Sequence, residues 1–389
     1  MTGLPPPPAA AQAIGEQLAE RIRGEILAAG GALPFSRYME LCLYSPGLGY
    51  YSAGLQKFGA DGDFVTAPEI SPLFGQCLAQ CCAPALQTLG AGNILEIGAG
   101  SGRLAVDLLA GLEQLDRLPD RYLILERSAD LRERQQALLR AELPRLADRV
   151  AWLDDLPERR FRGVVLANEV LDALPVERFR WDGKQVERVC VQGEDGRFGW
   201  ADCAAASAEL SAAMLPLCQE YQLAQGYVSE VNLMLPAWLR GIATALEQGV
   251  LLLADYGYPR REYYHPQRNL GTLMCHYRHH THADPFLWPG LQDLTAHVDF
   301  TAVAEAASAA GLDVAGYTTQ AAFLLDCGLE QLLLAQGDPA SAGYLRAVQQ
   351  VKTLIMPGEM GERFKFIALT KGIDSEVPGF RMQDMRERL

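Results

Sequence analysis

Three glycines at alternate positions, Gly98, Gly100 and Gly102, follow an acid, Glu96, that stands two residues before the first of them. Glycines at this spacing let the backbone turn sharply and leave room for a ligand to lie against the main chain. Upstream, Asn93-Ile-Leu-Glu-Ile97 is an apolar run suited to a buried parallel strand, and downstream Leu104, Leu108 and Leu109 share one helix face. Strand, glycine turn and helix together bring helix N-terminal N–H groups to the crevice, the geometry of a nucleotide-like cofactor site. A second acid, Glu126, ends the next apolar run, Tyr122–Leu125, where a carboxylate accepts both hydroxyls of a ribose. Asp154 and Asp155 end the third run, where an adenine would lie. A dinucleotide site asks for G-x-G-x-x-G, but Arg103 occupies the place of its last glycine. Glu96 would also repel a pyrophosphate, whereas it suits a positively charged amino-acid moiety.

The elements that must carry these residues alternate as β and α. Strands are expected at Asn93–Ile97, Tyr122–Leu125, Arg149–Leu153 and Gly163–Ala167, the last ending on Asn168 and Glu169, with helical patterns between them. Right-handed crossovers and a parallel sheet follow. From Pro175 to Gly249 the rhythm changes to short strands with turns at Asp182-Gly183 and Glu194-Asp-Gly196, then helices, which reads as an insertion with a small antiparallel sheet. The parallel rhythm resumes at Gly249–Asp255. Residues 259–289, rich in Tyr, His and Arg, read as a long functional loop. The expected division is a disordered Pro/Ala-rich start (1–12), an N-terminal helical cap and flap (13–90), the two halves of a Rossmann-like domain (91–174 and 249–372), an inserted substrate-side subdomain (175–248) and a C-terminal tail (373–389).

Composition narrows the class. The 389 residues are 49% hydrophobic and carry a net charge of −14, with no sustained Lys/Arg run, which argues against nucleic acid as a partner. No apolar run approaches the ~20 residues of a membrane span. The start lacks signal- and transit-peptide features, so a cytoplasmic protein is expected. Nine cysteines without a C-x-x-C pair suit reduced thiols.

The pattern E-x-G-x-G-x-G with an acid ending the second strand resembles the S-adenosylmethionine (SAM)-dependent class I methyltransferases. Longer motifs narrow the resemblance: Phe35-Ser-Arg-Tyr-Met39, Tyr44-Ser-Pro-Gly-Leu-Gly-Tyr-Tyr51, the run from Gly62 to Gly75, Asn168-Glu-Val-Leu-Asp-Ala-Leu-Pro175 and Leu294-Thr-Ala-His-Val-Asp-Phe300. In this order they resemble the MidA family, over about residues 13–371. Its mitochondrial members are protein-arginine methyltransferases required for assembly of respiratory complex I. The resemblance implies an α/β class I fold with a mainly parallel seven-stranded sheet, helices on both faces and SAM as methyl donor; methyl transfer itself needs no metal. It also implies a protein substrate, such as a complex I subunit.

Residue chemistry agrees with that acceptor. Methyl transfer is an in-line displacement, so the enzyme mainly positions donor and acceptor. A guanidinium, with its pKa above ~12, needs carboxylates to align it. Asn168, Glu169 and Asp172 follow the fourth strand, and Glu169 and Asp172 are spaced to share one side of a helical turn. Glu169 is the expected guanidinium-binding carboxylate and Asn168 holds acceptor or donor; Asp172 is either a partner or a first-turn acid favoured by the helix dipole. Asp63, Thr66 and Glu69 read as a flap over the crevice, and Asp255 and Tyr256 as its opposite wall, each with a purely structural alternative. The group His276, His279, His280 and His282 reads as surface or substrate contact rather than metal. His297, inside a family motif, is either functional or a buried structural histidine. Two other functions stay open: an assembly factor that keeps the fold without catalysis, and an NAD(P)-linked oxidoreductase.

Overall fold

The computed structural model describes residues 4–53, 65–90, 92–203 and 206–389. Among these, seven strands form the central sheet: β1 (Asn93–Ile97), β2 (Tyr122–Leu125), β3 (Val150–Leu153), β4 (Phe161–Asn168), β5 (Leu246–Tyr258), β6 (Asp313–Thr319) and β7 (Phe364–Lys371). They are ordered β6-β7-β5-β4-β1-β2-β3, and the short strand Val298–Asp299 adds to the end of β5. Neighbours from β5 through β3 are parallel, while β7 runs antiparallel to both β5 and β6. The parallel strands are apolar on both faces, with Ile94 and Leu95, Val164–Ala167 and Val250–Ala254 all buried. The order reverses between β1 and β4, so their carboxyl ends part at a switch point, where open α/β sheets bind ligands.

Two helices beside the sheet show how the local sequence builds this unit. Ser71 caps Pro72–Leu89 by accepting the Leu73 N–H at 3.4 Å, and Pro72 occupies the first helical position, where a missing N–H costs nothing. This helix crosses Arg103–Gln114 closely: a Cβ on Gly75 would stand 2.6 Å from the Asp107 Cβ, so only glycine fits there.

The described chain falls into two compact units. Of the described residues, one unit comprises those within 65–171, 236–259 and 298–389; the other comprises 4–53, those within 172–235, and 260–297. This division differs from the expected one in that residues 65–90 belong with the sheet, because the helix they form packs on Arg103–Gln114. Residues 373–389 are not a loose tail. Phe380 is buried against Phe323, and the Asp326 carboxylate accepts the Gly379 N–H at 2.7 Å.

The second unit holds a five-stranded antiparallel sheet of Leu33–Pro34, Glu177–Trp181, Val186–Glu194, Arg197–Asp202 and Tyr227–Val231. Residues 259–289 are less irregular than expected. Met274–Tyr277 pairs with His280–His282 and Asp293–Thr295 in a small antiparallel sheet, which puts His276 and His280 on two strands of a hairpin. The first helix, Ala9–Ala28, begins inside the segment expected to be disordered, since Ala and Gln after Pro8 favour helix. Cys190 and Cys203, with Cα atoms 5.6 Å apart, are joined as a disulfide, against the expectation of reduced thiols throughout; the other seven cysteines are buried and free.

Candidate functional site

The turn after β1 is built as its glycines require: Gly98, Gly100 and Gly102 have φ of +70°, +54° and +88°, a region L-residues rarely adopt. Glu96 sits inside β1 at 3% exposure, with its carboxylate accepting the Tyr122 hydroxyl at 2.7 Å. Burial pushes this acid up to about 7, and the charge of Glu126 adds to the rise. Glu126, at the end of β2, accepts the Ser128 N–H at 2.8 Å; burial raises its pKa too, against hydrogen bonds from Ser128 and Gln135. Asp154 and Asp155 follow β3 with exposed side chains in ion pairs with Arg132 and Arg127, each at 2.7 Å. Arg132 also donates to the carbonyls of Glu126 and Leu153, so it ties the ends of β2 and β3 together.

No helix follows β4, which corrects the expected pairing of Glu169 with Asp172. The chain runs through bends and a turn from Glu169 to Leu174, so these two acids do not share a helical face, and Asp172 is no first-turn acid. The reason lies in β5. The buried Asp255 carboxylate accepts the N–H groups of Val170 at 3.2 Å and Leu171 at 2.9 Å, and the Glu169 N–H bonds to the Ala254 carbonyl at 2.9 Å. These bonds hold Glu169 at φ +53°. Asn168 Nδ2 donates to Glu169 Oε1 at 3.1 Å. Val170 touches the glycine turn, since a Cβ on Gly98 would stand 3.1 Å from its Cγ2. Asp172 is buried and its carbonyl accepts the Ala296 N–H.

Of the flap residues, Asp63 lies outside the described residues. Glu69 reaches the glycine turn by accepting the Ser101 hydroxyl, and Thr66 precedes the short helix Ala67–Ile70 without a side-chain cap. Asp255 is the anchor of the turn after β4, while the ring of Tyr256 meets Phe364 at 5.5 Å. His297 is half-buried, its backbone N–H on the Thr272 hydroxyl at 3.1 Å and its Nδ1 3.4 Å from the Thr272 carbonyl. Burial lowers His276 to about 4. Among the described residues no group of three His, Cys, Asp or Glu could hold a metal, and no helix is long and apolar enough to cross a membrane.

Sequence reasoning missed Tyr122, Ser101, Arg132 and Gln135. Only Gln135 left a signal: it interrupts the stripe Leu131, Gln135, Leu139 on the buried face of helix Ala129–Glu142.

The sheet order and the acid-flanked glycine turn at its switch point define a class I, SAM-dependent methyltransferase. The residues fit that cofactor: a main chain stripped of Cβ atoms at the turn, a carboxylate at the end of β2, and an acid in β1. Residues 77–318 match a family of S-adenosyl-L-methionine-dependent methyltransferases, and the chain belongs to this MidA-like family. It is similar to "Protein arginine methyltransferase NDUFAF7 homolog, mitochondrial" of Drosophila melanogaster, with 30% identity covering 92% of this chain and 85% of the relative. The human protein arginine methyltransferase NDUFAF7 is 28% identical over 87% of this chain and 80% of its own. A crystal structure of a Burkholderia thailandensis protein bound to S-adenosyl-homocysteine (SAH) is 48% identical, with a TM-score of 0.95 over all of both chains. With that ligand in so similar a structure, the NAD(P) alternative is set aside.

Proposed function

We propose that this methyltransferase transfers the methyl group of SAM to an arginine of a partner protein, with a respiratory complex I subunit as the first candidate. The observation that carries the reading is the rigid Asn168–Leu171 turn, which brings a half-buried carboxylate, Glu169, to the carboxyl end of β4 beside the glycine turn. SAM supplies an electrophilic methyl on its sulfonium. Glu96, Glu126 and the glycine turn hold that donor, with Asp154 and Asp155 toward its adenine. Glu169 forms a charge-assisted pair with the guanidinium, fixes its plane and accepts the proton that leaves as the new N–C bond forms. The Asn168 amide holds Glu169 Oε1 and so limits the orientations available to the pair. Thr66, Glu69 and Tyr256 serve the acceptor side. The names of the mitochondrial relatives support arginine as the acceptor. The test is mass spectrometry of complex I subunits from the source organism with and without this protein: methylarginine confined to the former supports the reading, and identical spectra sink the complex I assignment.

A further inference from the structure

Helix Ala129–Glu142 buries Leu131, Gln135 and Leu139 along one face. The two leucines suit such a stripe; a fully buried amide between them does not, unless its polar atoms are bonded. Gln135 Nε2 donates to the Gly100 carbonyl at 2.8 Å, and its Oε1 accepts the indole N–H of Trp152 at 2.8 Å. Indole only donates, so Trp152 dictates which end of the amide is oxygen and turns the NH₂ end toward the glycine turn. The same Nε2 lies 3.5 Å from Oε2 of Glu126. Packing adds another tie, since a Cβ on Gly102 would stand 3.1 Å from Gln135 Cγ and 3.3 Å from its Cα. One side chain therefore spans the turn after β1, the acid after β2 and the indole of β3.

The geometry points to Gln135 as a positioning residue for the methyl donor: anchored by Trp152, it holds the Gly100 peptide and the Glu126 carboxylate in fixed register, so that the site for an adenosyl sulfonium is formed before the donor arrives. Without the amide, the part-buried Gly100 carbonyl loses its protein donor, and the turn is no longer tied to helix Ala129–Glu142. Its bond also favours the ionised form of Glu126, the form that accepts ribose hydroxyls. A donor site fixed in this way loses little order on binding. The inference concerns the donor half alone and is independent of the acceptor's identity.

The test pairs SAH titration calorimetry with melting of the ligand-free protein, in the parent, Gln135→Met and Trp152→Phe. Methionine keeps the volume against Gly102 and removes the hydrogen bonds to Gly100, Glu126 and Trp152. The ligand-free Met variant should still unfold cooperatively, at a somewhat lower temperature than the parent, and bind SAH at least about tenfold more weakly. Trp152→Phe leaves the amide but frees its orientation, and should weaken SAH binding by about three- to fivefold. A folded Met variant that binds SAH within twofold of the parent assigns Gln135 to packing alone and overturns the inference. Should the Met variant not fold, Trp152→Phe decides in the same way, with binding within twofold as the overturning result.

Discussion

The Asp255 carboxylate, 1% exposed near the end of β5, accepts the backbone N–H of Leu171 at 2.9 Å, three residues past the end of β4. With Val170 and Tyr256 it captures three N–H groups, so one buried acid sets the path of the turn that carries Asn168 and Glu169. Asp255→Ala leaves those donors without their acceptor, a cost of about 1–3 kcal/mol for each fully desolvated group. The expected result is a lower melting temperature and at least a tenfold fall in kcat, with SAH affinity within about threefold of the parent. Unchanged kcat would remove Asp255 from the positioning of Glu169.

Glu96 makes folding stability pH-dependent in an unusual direction. Its pKa in the folded chain is about 7 against the ordinary 4.5, so the folded state keeps a proton that the unfolded state gives up. Stability from this group is full below about pH 4.5 and falls as pH rises to about 7, by roughly 3 kcal/mol at most. Glu96→Gln removes the penalty. Urea melts should show the variant gaining on the parent at pH 8 with no difference near pH 4.5; a variant gain that is greater at the acid end would contradict the assignment.

Gly98 combines a φ of +70° with the approach of Val170. A valine there costs about 1–2 kcal/mol in backbone strain alone and forces the two turns apart. Gly98→Val should abolish measurable SAH binding while far-ultraviolet circular dichroism stays at the parent's level. Parent-like SAH affinity in a folded variant would place the donor elsewhere.

Glu126→Gln keeps the shape of the side chain and removes the charge offered to the ribose. Hydrogen bonds to charged groups contribute about 1.5–3 kcal/mol, so SAH affinity should fall by about 10- to 100-fold in calorimetry. A loss below threefold would leave the ribose without this partner.

The sheet and its donor turn were legible because their signals are local. Apolar runs ending on Gly98, Glu126 and Asn168 mark parallel strands, and the motifs far from the turn separated this family from other nucleotide folds. The turn after β4 was not legible, since the spacing of Glu169 and Asp172 is that of a helix face. Asp255, more than 80 residues further along the chain, overrides that local pattern through bonds that exist only after β5 pairs with β4. Residues 259–289 read as loop in the sequence because their strands, Met274–Tyr277 and His280–His282, are only four and three residues long, too short for an alternating pattern. Gln135 looked like one polar residue on a mostly polar helix, and its meaning lies in contacts with Gly100 and Trp152 on other elements.

Arginine methylation can be read by incubating the purified protein with methyl-labelled SAM and an extract of the source organism lacking it, then locating the label by mass spectrometry. The expected result is label on an arginine side chain of a discrete protein with the parent, and loss of at least about 90% of it with Glu169→Gln, whose SAH affinity stays near the parent's. Label confined to residues other than arginine, or full labelling by Glu169→Gln, would contradict it.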